Sequence, residues 1–433
     1  MERRSCITLA VAAAAIATLQ PLHATAQSAA QTTAIAELAE HAAVQRAFRV
    51  IDELEATTMA NHVMLTEIAA PPFMEERRAA KFAELLREAG ADSVWIDAEG
   101  NVIALRRGRL GGRTVAVDAH LDTVFPEGTD VSVRTSGDTL FAPGIGDDTR
   151  GLSIIITMLR ALNTAEVGTR DDILFIGTVG EEGLGDLRGM KHLFRDGGPR
   201  IDTWISIDGV NPSRVVHRGL GSHRYRVTVK GPGGHSWGAF GLGNPHHALG
   251  QAIQKFVEAA DPYTFEGPRT SYNVGRIGGG TSVNSIPFES WMEVDMRSES
   301  PERLNGIDAL FQRAMREGLA EANRVRRDGD SLTIDIAMIG NRPSGTTDLS
   351  APIVQRAMAA ITYFGREPDP TISSTNSNIP ISLGVPAITI GSGGAGSGAH
   401  SLTEWWVNDN GASGIKQALL ILAAEAGISE LVN

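Results

Sequence analysis

The sequence predicts an α/β fold: a mostly parallel sheet covered by helices on both faces, interrupted by a small inserted α+β layer. Three observations predict it. Short apolar strands alternate with helical stretches through the first half of the chain, the order that puts helices on both faces of parallel strands. Between about residues 222 and 340 the strands instead alternate polar and apolar residues, in the order strand-helix-strand-strand-helix-strand, which suits a one-sided, ferredoxin-like insertion. The first texture then resumes and runs to the C-terminus.

The elements follow in order. The chain opens Met-Glu-Arg-Arg, continues through the charge-free run "CITLAVAAAAIATL" and reaches "HATAQ", where Ala24-x-Ala26 fits a signal-peptidase site. Residues 1–26 are therefore expected to be a signal peptide, and the mature protein periplasmic or secreted. The run is short for a span, and nothing downstream offers about 20 uninterrupted apolar residues, so no membrane partner is expected after cleavage. Residues 27–433 exceed what one core usually serves. They divide into a sheet domain in two parts, 27–221 and 341–433, around the insertion at 222–340.

Within the first part, "IAELAEHAAVQRAFRVIDELEATTMANHVMLTEIA" has helical spacing up to Pro71-Pro72, and "EERRAAKFAELLREAG" is a second helical stretch closed by Gly90. "SVWIDAEGNVIALRRG" reads as a hairpin. "TVAVDAHLDTV", "DDILFIGTVGEE" and "DTWISIDG" read as buried strands, with "GLSIIITMLRALNTA" as a helix between the first two. In the insertion, "HRYRVTVKG", "ESWMEVDMRS" and "SLTIDIAMIG" alternate as strands with one solvated face, around the helical stretches "HHALGQAIQKFVEAA" and "PERLNGIDALFQRAMREGLAEANRV". The last part supplies the strand "PAITIGSGG" and the closing helix "ASGIKQALLILAAEAG".

Composition removes several classes of function. The single cysteine, Cys6, leaves with the signal peptide, so no disulfide, thiol nucleophile or thiolate ligand remains. A formal charge of −12 argues against nucleic acid as a partner, since phosphate binding needs a basic face.

What remains is a set of carboxylates and histidines, most of them where a strand meets a loop, the position at which open α/β sheets build their sites. "VDAHLDTV" spaces Asp118, His120 and Asp122 two apart, so that in extended chain they share a side. A histidine so flanked can bind a metal through one ring nitrogen while the other is held by a hydrogen bond. "APGIGDDTRG" sets Asp147 and Asp148 before a helix, where one carboxylate can bridge two cations and the bland alternative is an N-cap. "GTVGEEGLGD" sets Glu181 beside Glu182 after an apolar run, costly in a partly buried turn unless a cation or a proton intervenes. Asp208 ends "WISIDGV", and His400 follows the glycine-rich "GSGGAGSGAHSLTEWW".

Taken singly, each residue has an ordinary structural explanation; together they form the ligand set of a two-metal site. Oxygen and imidazole donors suit zinc, with manganese or cobalt as alternatives. Two such ions, about 3.5–4 Å apart, can hold a hydroxide between them and polarise a scissile carbonyl, with a further carboxylate as base. Adjacent glutamates offer that division of labour, without deciding which binds metal.

"HLDTV", "GIGDDTRG", "GEEGLGD", "SIDG", "GPGGHS", "GGGTSVNSIP" and "GAHSLTEW", in this order, resemble the M20 family of metallopeptidases, nearest in texture to its peptidase T-like and carboxypeptidase G2-like members. The resemblance runs from about residue 50 to the C-terminus. It implies a zinc-exopeptidase-type catalytic domain, with the insertion as lid and dimerisation domain. It makes His120, Asp147 and Asp208 the ligands of one metal, and Asp147, Glu182 and His400 those of the other. Glu181 becomes the general base and acid, and Asp122 the residue that orients His120.

By the same resemblance His235 of "GGH" stabilises the oxyanion, often from a partner subunit, so a homodimer is expected. Asn284 and Arg297 match lid positions that contact substrate, with Arg276 and Arg342 as competing arginines. One departure stands out: where many relatives carry an acid in Gly/Ser-Thr-Asp, this chain has Asn376. The expected activity is cleavage of amide bonds in short peptides by an exopeptidase, through a metal-bridging hydroxide. The alternatives are hydrolysis of N-acyl or N-carbamoyl amino acids and, from another class, a non-catalytic peptide-binding protein.

Overall fold

A computed structural model describes residues 20–429, with side chains from residue 29 onward. The expected signal peptide lies outside the described residues except for residues 20–26, which belong to the helix Gln20–Glu40. The long N-terminal helical stretch is three helices, Gln20–Glu40, Ala42–Glu53 and Glu55–Thr66. Apolar spacing runs through the breaks, but the backbone at His41 is extended and its ring caps Ala43, a local detail that periodicity does not carry. The helix Glu76–Glu88 follows and ends before Gly90, whose φ is +87°.

The main sheet runs in the order Ser93–Ile96, Val102–Arg106, Asp172–Thr178, Thr114–His120, Thr203–Ile207, Ala387–Ile390, Arg214–Gly219 and Gly345–Thr346, with Asp369–Ser373 also paired to Arg214–Gly219. Its centre is parallel: Thr114–His120 lies between Asp172–Thr178 and Thr203–Ile207, and the last of these beside Ala387–Ile390. Antiparallel strands flank this centre on both sides.

Both faces of the centre are covered. Val115 and Val117 point into a core with the helices Thr149–Thr164 and Gly411–Ala426, while Ala116 and Trp204 join a second core with Met190, Leu193 and Ile379. Burial on both faces is why these strands read as apolar runs rather than alternations. Because the central strands are parallel, His120, Thr178, Ile207 and Ile390 all end at one edge of the sheet. The loops that follow them converge there.

The insertion is a four-stranded antiparallel sheet ordered Thr270–Gly279, Glu289–Ser298, Gly221–Lys230, Thr333–Arg342. One face packs through Val227, Met292 and Val294 on the helices Pro245–Thr264 and Pro301–Val325, with Phe256, Phe311 and Met315 between. Asn244 and Ser300 cap those helices and proline opens each, the residue types that end backbone orphaning at a helix start. The other face carries charge ladders: Arg224 pairs with Asp295 at 2.9 Å and Arg226 with Glu293 at 2.7 Å. The chain crosses between the layers twice, side by side, since Ser222 is in register with Arg342 and Gly219 with Gly345.

A third sheet joins Ala395–Ser397, Trp405–Val407, Thr139–Phe141 and Arg134–Ser136. Its strands have three residues each, too few for a periodic pattern to announce them. It lays the turn containing His400 against the loop containing Asp147. Among the described residues no helix is long and apolar enough to cross a membrane.

Candidate metal centre

His120 is the last residue of its strand and fully buried, and three contacts fix it. Its backbone N–H donates to Asp148 Oδ2 at 3.1 Å, its Nδ1 lies 3.0 Å from the Asp122 carbonyl oxygen, and its Nε2 faces Asp147 Oδ1 at 2.9 Å. Orientation of the ring thus falls to the main-chain oxygen of Asp122, whose carboxylate stands off at 3.8 Å. That carboxylate accepts the N–H groups of Glu181 at 3.1 Å and Glu182 at 2.8 Å. Asp122 therefore ties the His120 strand to the glutamate turn, with charge-assisted bonds of about 1.5–3 kcal/mol each.

Asp147 and Asp148 divide their tasks. The bond between them is cis. Asp147 faces His120 on one side and, through Oδ2, His400 Nε2 at 3.2 Å on the other. Asp148 turns inward and is buried; a side chain at Gly151 would meet its Oδ1 at 2.3 Å, so only glycine fits there. His400, with φ +67°, reaches Glu182 Oε1 at 2.8 Å. The Asp208 carboxylate accepts no hydrogen bond among the described residues; its backbone is held, the N–H donating to the Ile390 carbonyl at 3.0 Å and the carbonyl accepting from Arg214 at 3.3 Å.

Two triads result whose ligating atoms all lie within 4.8 Å of one another: His120, Asp147 and Asp208, and Asp147, Glu182 and His400. A third grouping of His120 with Glu181 and Glu182 meets the same distance. Burial raises the pKa of Asp208, aided by the Asp147 charge, and pushes Asp148 well up. Burial also lifts Glu181 well above the carboxylate range, against the pull of Arg342 and with the Glu182 charge adding to it. Asp147 goes the other way: hydrogen bonds from His120 and His400 outweigh its burial and hold it below the carboxylate range. His400, bonded to Asp147 and Glu182, is raised to about 10. So many buried carboxylates facing two imidazoles, one of them with no donor, fit divalent cations of the zinc type.

Glu181 is held by Arg342, which arrives from the last strand of the insertion and donates from Nη1 to its Oε1 at 3.0 Å and from Nη2 to its carbonyl oxygen. Arg342 is the arginine that reaches the cluster. Arg297 is turned onto Asp295 at 2.7 Å, and Arg276 pairs with Glu293 over Trp291. His235 and Asn284 sit together on a two-stranded ribbon of the insertion, where Ser236 N–H donates to the Asn284 carbonyl. Both are exposed and neither bonds to the cluster.

Asp118 and Asn376 lie beneath the cluster rather than in it. Asn376 Nδ2 donates to Asp118 Oδ2 and to Thr178 Oγ1, both at 2.7 Å, and Ser206 Oγ donates to Asp118 Oδ1 at 2.6 Å. The carboxylate that the motif comparison finds missing at 376 is thus present against it, at 118. Burial, opposed by these donors, brings Asp118 up to about 6. Sequence reasoning missed one more buried acid, Glu404, which receives backbone N–H groups from the Asp147 loop. Its only signal was its place in the "GAHSLTEW" motif.

The sequence profile of peptidase family M20/M25/M40 matches residues 116–423. Carboxypeptidase G2 of a Pseudomonas species is 26% identical over 238 residues, covering 52% of this chain and 54% of that protein, so the chain spans about half the length of this curated relative. Aminopeptidase PepT from Bacillus cereus superposes with a TM-score of 0.68 at 19% identity, over 86% of this chain and 98% of that one. A dinuclear metal-binding M20 peptidase from Bacillus subtilis does so with a TM-score of 0.62 at 17% identity, over 87% and 100%. At these identities the two structures speak for the fold.

Proposed function

The chain belongs to peptidase family M20/M25/M40 and is a hydrolase, and from that premise we propose that it cleaves amide bonds of short peptides as an exopeptidase using two divalent cations, zinc in the first instance. The observation that carries this reading is the convergence of the two triads that share Asp147, with Glu181 adjoining them. His120, Asp147 and Asp208 would hold one cation, and Asp147, Glu182 and His400 the other. Bound there, the cations supply Lewis acidity toward the scissile carbonyl and lower the pKa of water.

The chain's own residues do the rest. Asp122 fixes the backbone of both glutamates, so that Glu181 is held to take a proton from the attacking water and pass it to the leaving amine. Arg342 keeps the Glu181 side chain in one orientation. His235, exposed on the insertion and without a bond to its own cluster, is read as an oxyanion donor contributed to the site of a second copy. Asn284 beside it and Arg297 on the charged face are read as substrate contacts. Export of the mature protein from residue 27 and assembly as a homodimer complete the reading.

The test is hydrolysis of di- and tripeptides, N-blocked peptides and N-acyl amino acids by the metal-stripped mature protein with zinc, manganese or cobalt restored. Glu181→Gln is expected to bind metal as wild type does and to lose about 10²–10⁴ in kcat. A wild-type protein that binds no metal sinks the proposal. Preference for N-acyl or N-carbamoyl amino acids moves the substrate class and leaves the chemistry standing.

A further inference from the structure

Glu404 has no part in the chemistry above, yet it is 2% exposed and its carboxylate is spent entirely on backbone. Oε1 accepts the N–H of Gly146 at 2.7 Å and of Asp147 at 3.0 Å, and Oε2 that of Gly144 at 2.7 Å. No cationic side chain among the described residues shares it. Its own carbonyl takes the Ala142 N–H at 3.2 Å, and its N–H closes a turn onto Ser401, directly after His400. Side chain and main chain of one residue therefore clamp the loop that presents Asp147 to the turn that presents His400. The loop leaves no slack: φ at Gly144 is +79°, and a side chain at Gly146 would stand 3.2 Å from Oε1.

We infer that Glu404 is a positioning residue that sets Asp147 and His400 at ligating separation, so that the His400 subsite depends on it more than the His120 subsite does. The inference rests on the two-metal reading. The His120 subsite has supports of its own, since Asp148 and the Asp122 carbonyl hold His120, and Asp208 directly follows the strand Thr203–Ile207 with its N–H on the Ile390 carbonyl. The His400 subsite takes two of its three ligands from the segments that Glu404 joins. A neutral isostere does not replace it, because one end of a glutamine amide would turn N–H groups toward an N–H donor.

The test is zinc binding followed by calorimetry on metal-stripped, full-length mature protein. Wild type is expected to take up two tight equivalents. Glu404→Gln is expected to keep the first and bind the second about 10–100-fold more weakly, with kcat reduced and KM little changed. Should that variant fail to fold, Glu404→Asp decides, since it keeps the charge but withdraws the carboxylate from the three N–H groups. Selective weakening of the second equivalent supports the inference. Two wild-type equivalents with unchanged kcat, or equal weakening of both, overturns it. Fewer than two equivalents in wild type itself overturns the two-metal reading and this inference with it.

Discussion

Asp122 and His62 show how much of the site is decided by single residues outside the two triads. Asp122 spends its carboxylate on two backbone N–H groups and its carbonyl on the His120 ring. His62 is buried, sets Nε2 on the Ile145 carbonyl oxygen in the Asp147 loop, and packs edge-on against Trp406 with ring centroids 5.0 Å apart. Burial, with the Arg150 charge, lowers its pKa to about 3. The fold thus keeps His62 neutral while the unfolded chain gains a proton near its ordinary value, so stability is intact above about pH 6.5 and falls as the pH drops toward 3. His62→Gln retains a donor and removes the titration. Its melting temperature should fall less than that of wild type between about pH 6.5 and pH 4.5; parallel declines would refute the assignment. Ligand-type residues such as His120, Asp147 and Glu182 were legible in the sequence because strand ends and glycine turns mark them. The supports were not, because a bond such as that from Asp147 to Glu404 joins residues 257 apart, and no local pattern reports it.

At the scale of elements, the parallel centre of the sheet presents His120, Glu182 and Asp208, the third sheet presents Asp147 and His400, and the last strand of the insertion delivers Arg342. Arg342→Lys would keep the charge and lose the two-pronged grip on Glu181. A kcat lower by about tenfold, with metal uptake unchanged, is expected, since bonds to charged groups are worth about 1.5–3 kcal/mol; unaltered kcat would remove Arg342 from the argument. Where Thr114–His120, Asp172–Thr178 and the Thr375–Asn378 turn meet, Asn376 donates to Asp118. Asn376→Asp would set two buried carboxylates together and should cost about 1–3 kcal/mol in urea unfolding, with Asp118→Asn restoring most of it in the double variant. The hairpin, the buried strands and the alternating strands of the insertion were legible because period and burial coincide there. The break at His41 and the three-residue strands around Trp405–Val407 were not, because each depends on a cap or on a distant partner.

At the scale of the molecule, the hydrophobic cores on the two faces of the main sheet are kept apart from the one within the insertion. Phe311→Ala should destabilise the insertion by about 3–5 kcal/mol without altering metal content, whereas chelation should lower only the transition of the sheet domain. Calorimetry with and without zinc separates these outcomes, and a single transition that responds equally to both changes would show that the cores do not melt apart. The change of texture near residue 222 was visible because one-sided and two-sided burial write different patterns. How the layers are joined was not, since it rests on a register between residues 120 apart, Ser222 and Arg342. Those neighbouring crossings lie side by side, as at the spine of a book. A strand as long as Gly221–Lys230, ten residues, is a lever of about 30 Å, so a rotation of about 10° at the spine sweeps its far end, and the His235 ribbon beyond it, through about 5 Å. Arg342, standing on the spine, would hardly move. A small swing of that kind would widen the mouth of the site and leave the grip on Glu181 undisturbed.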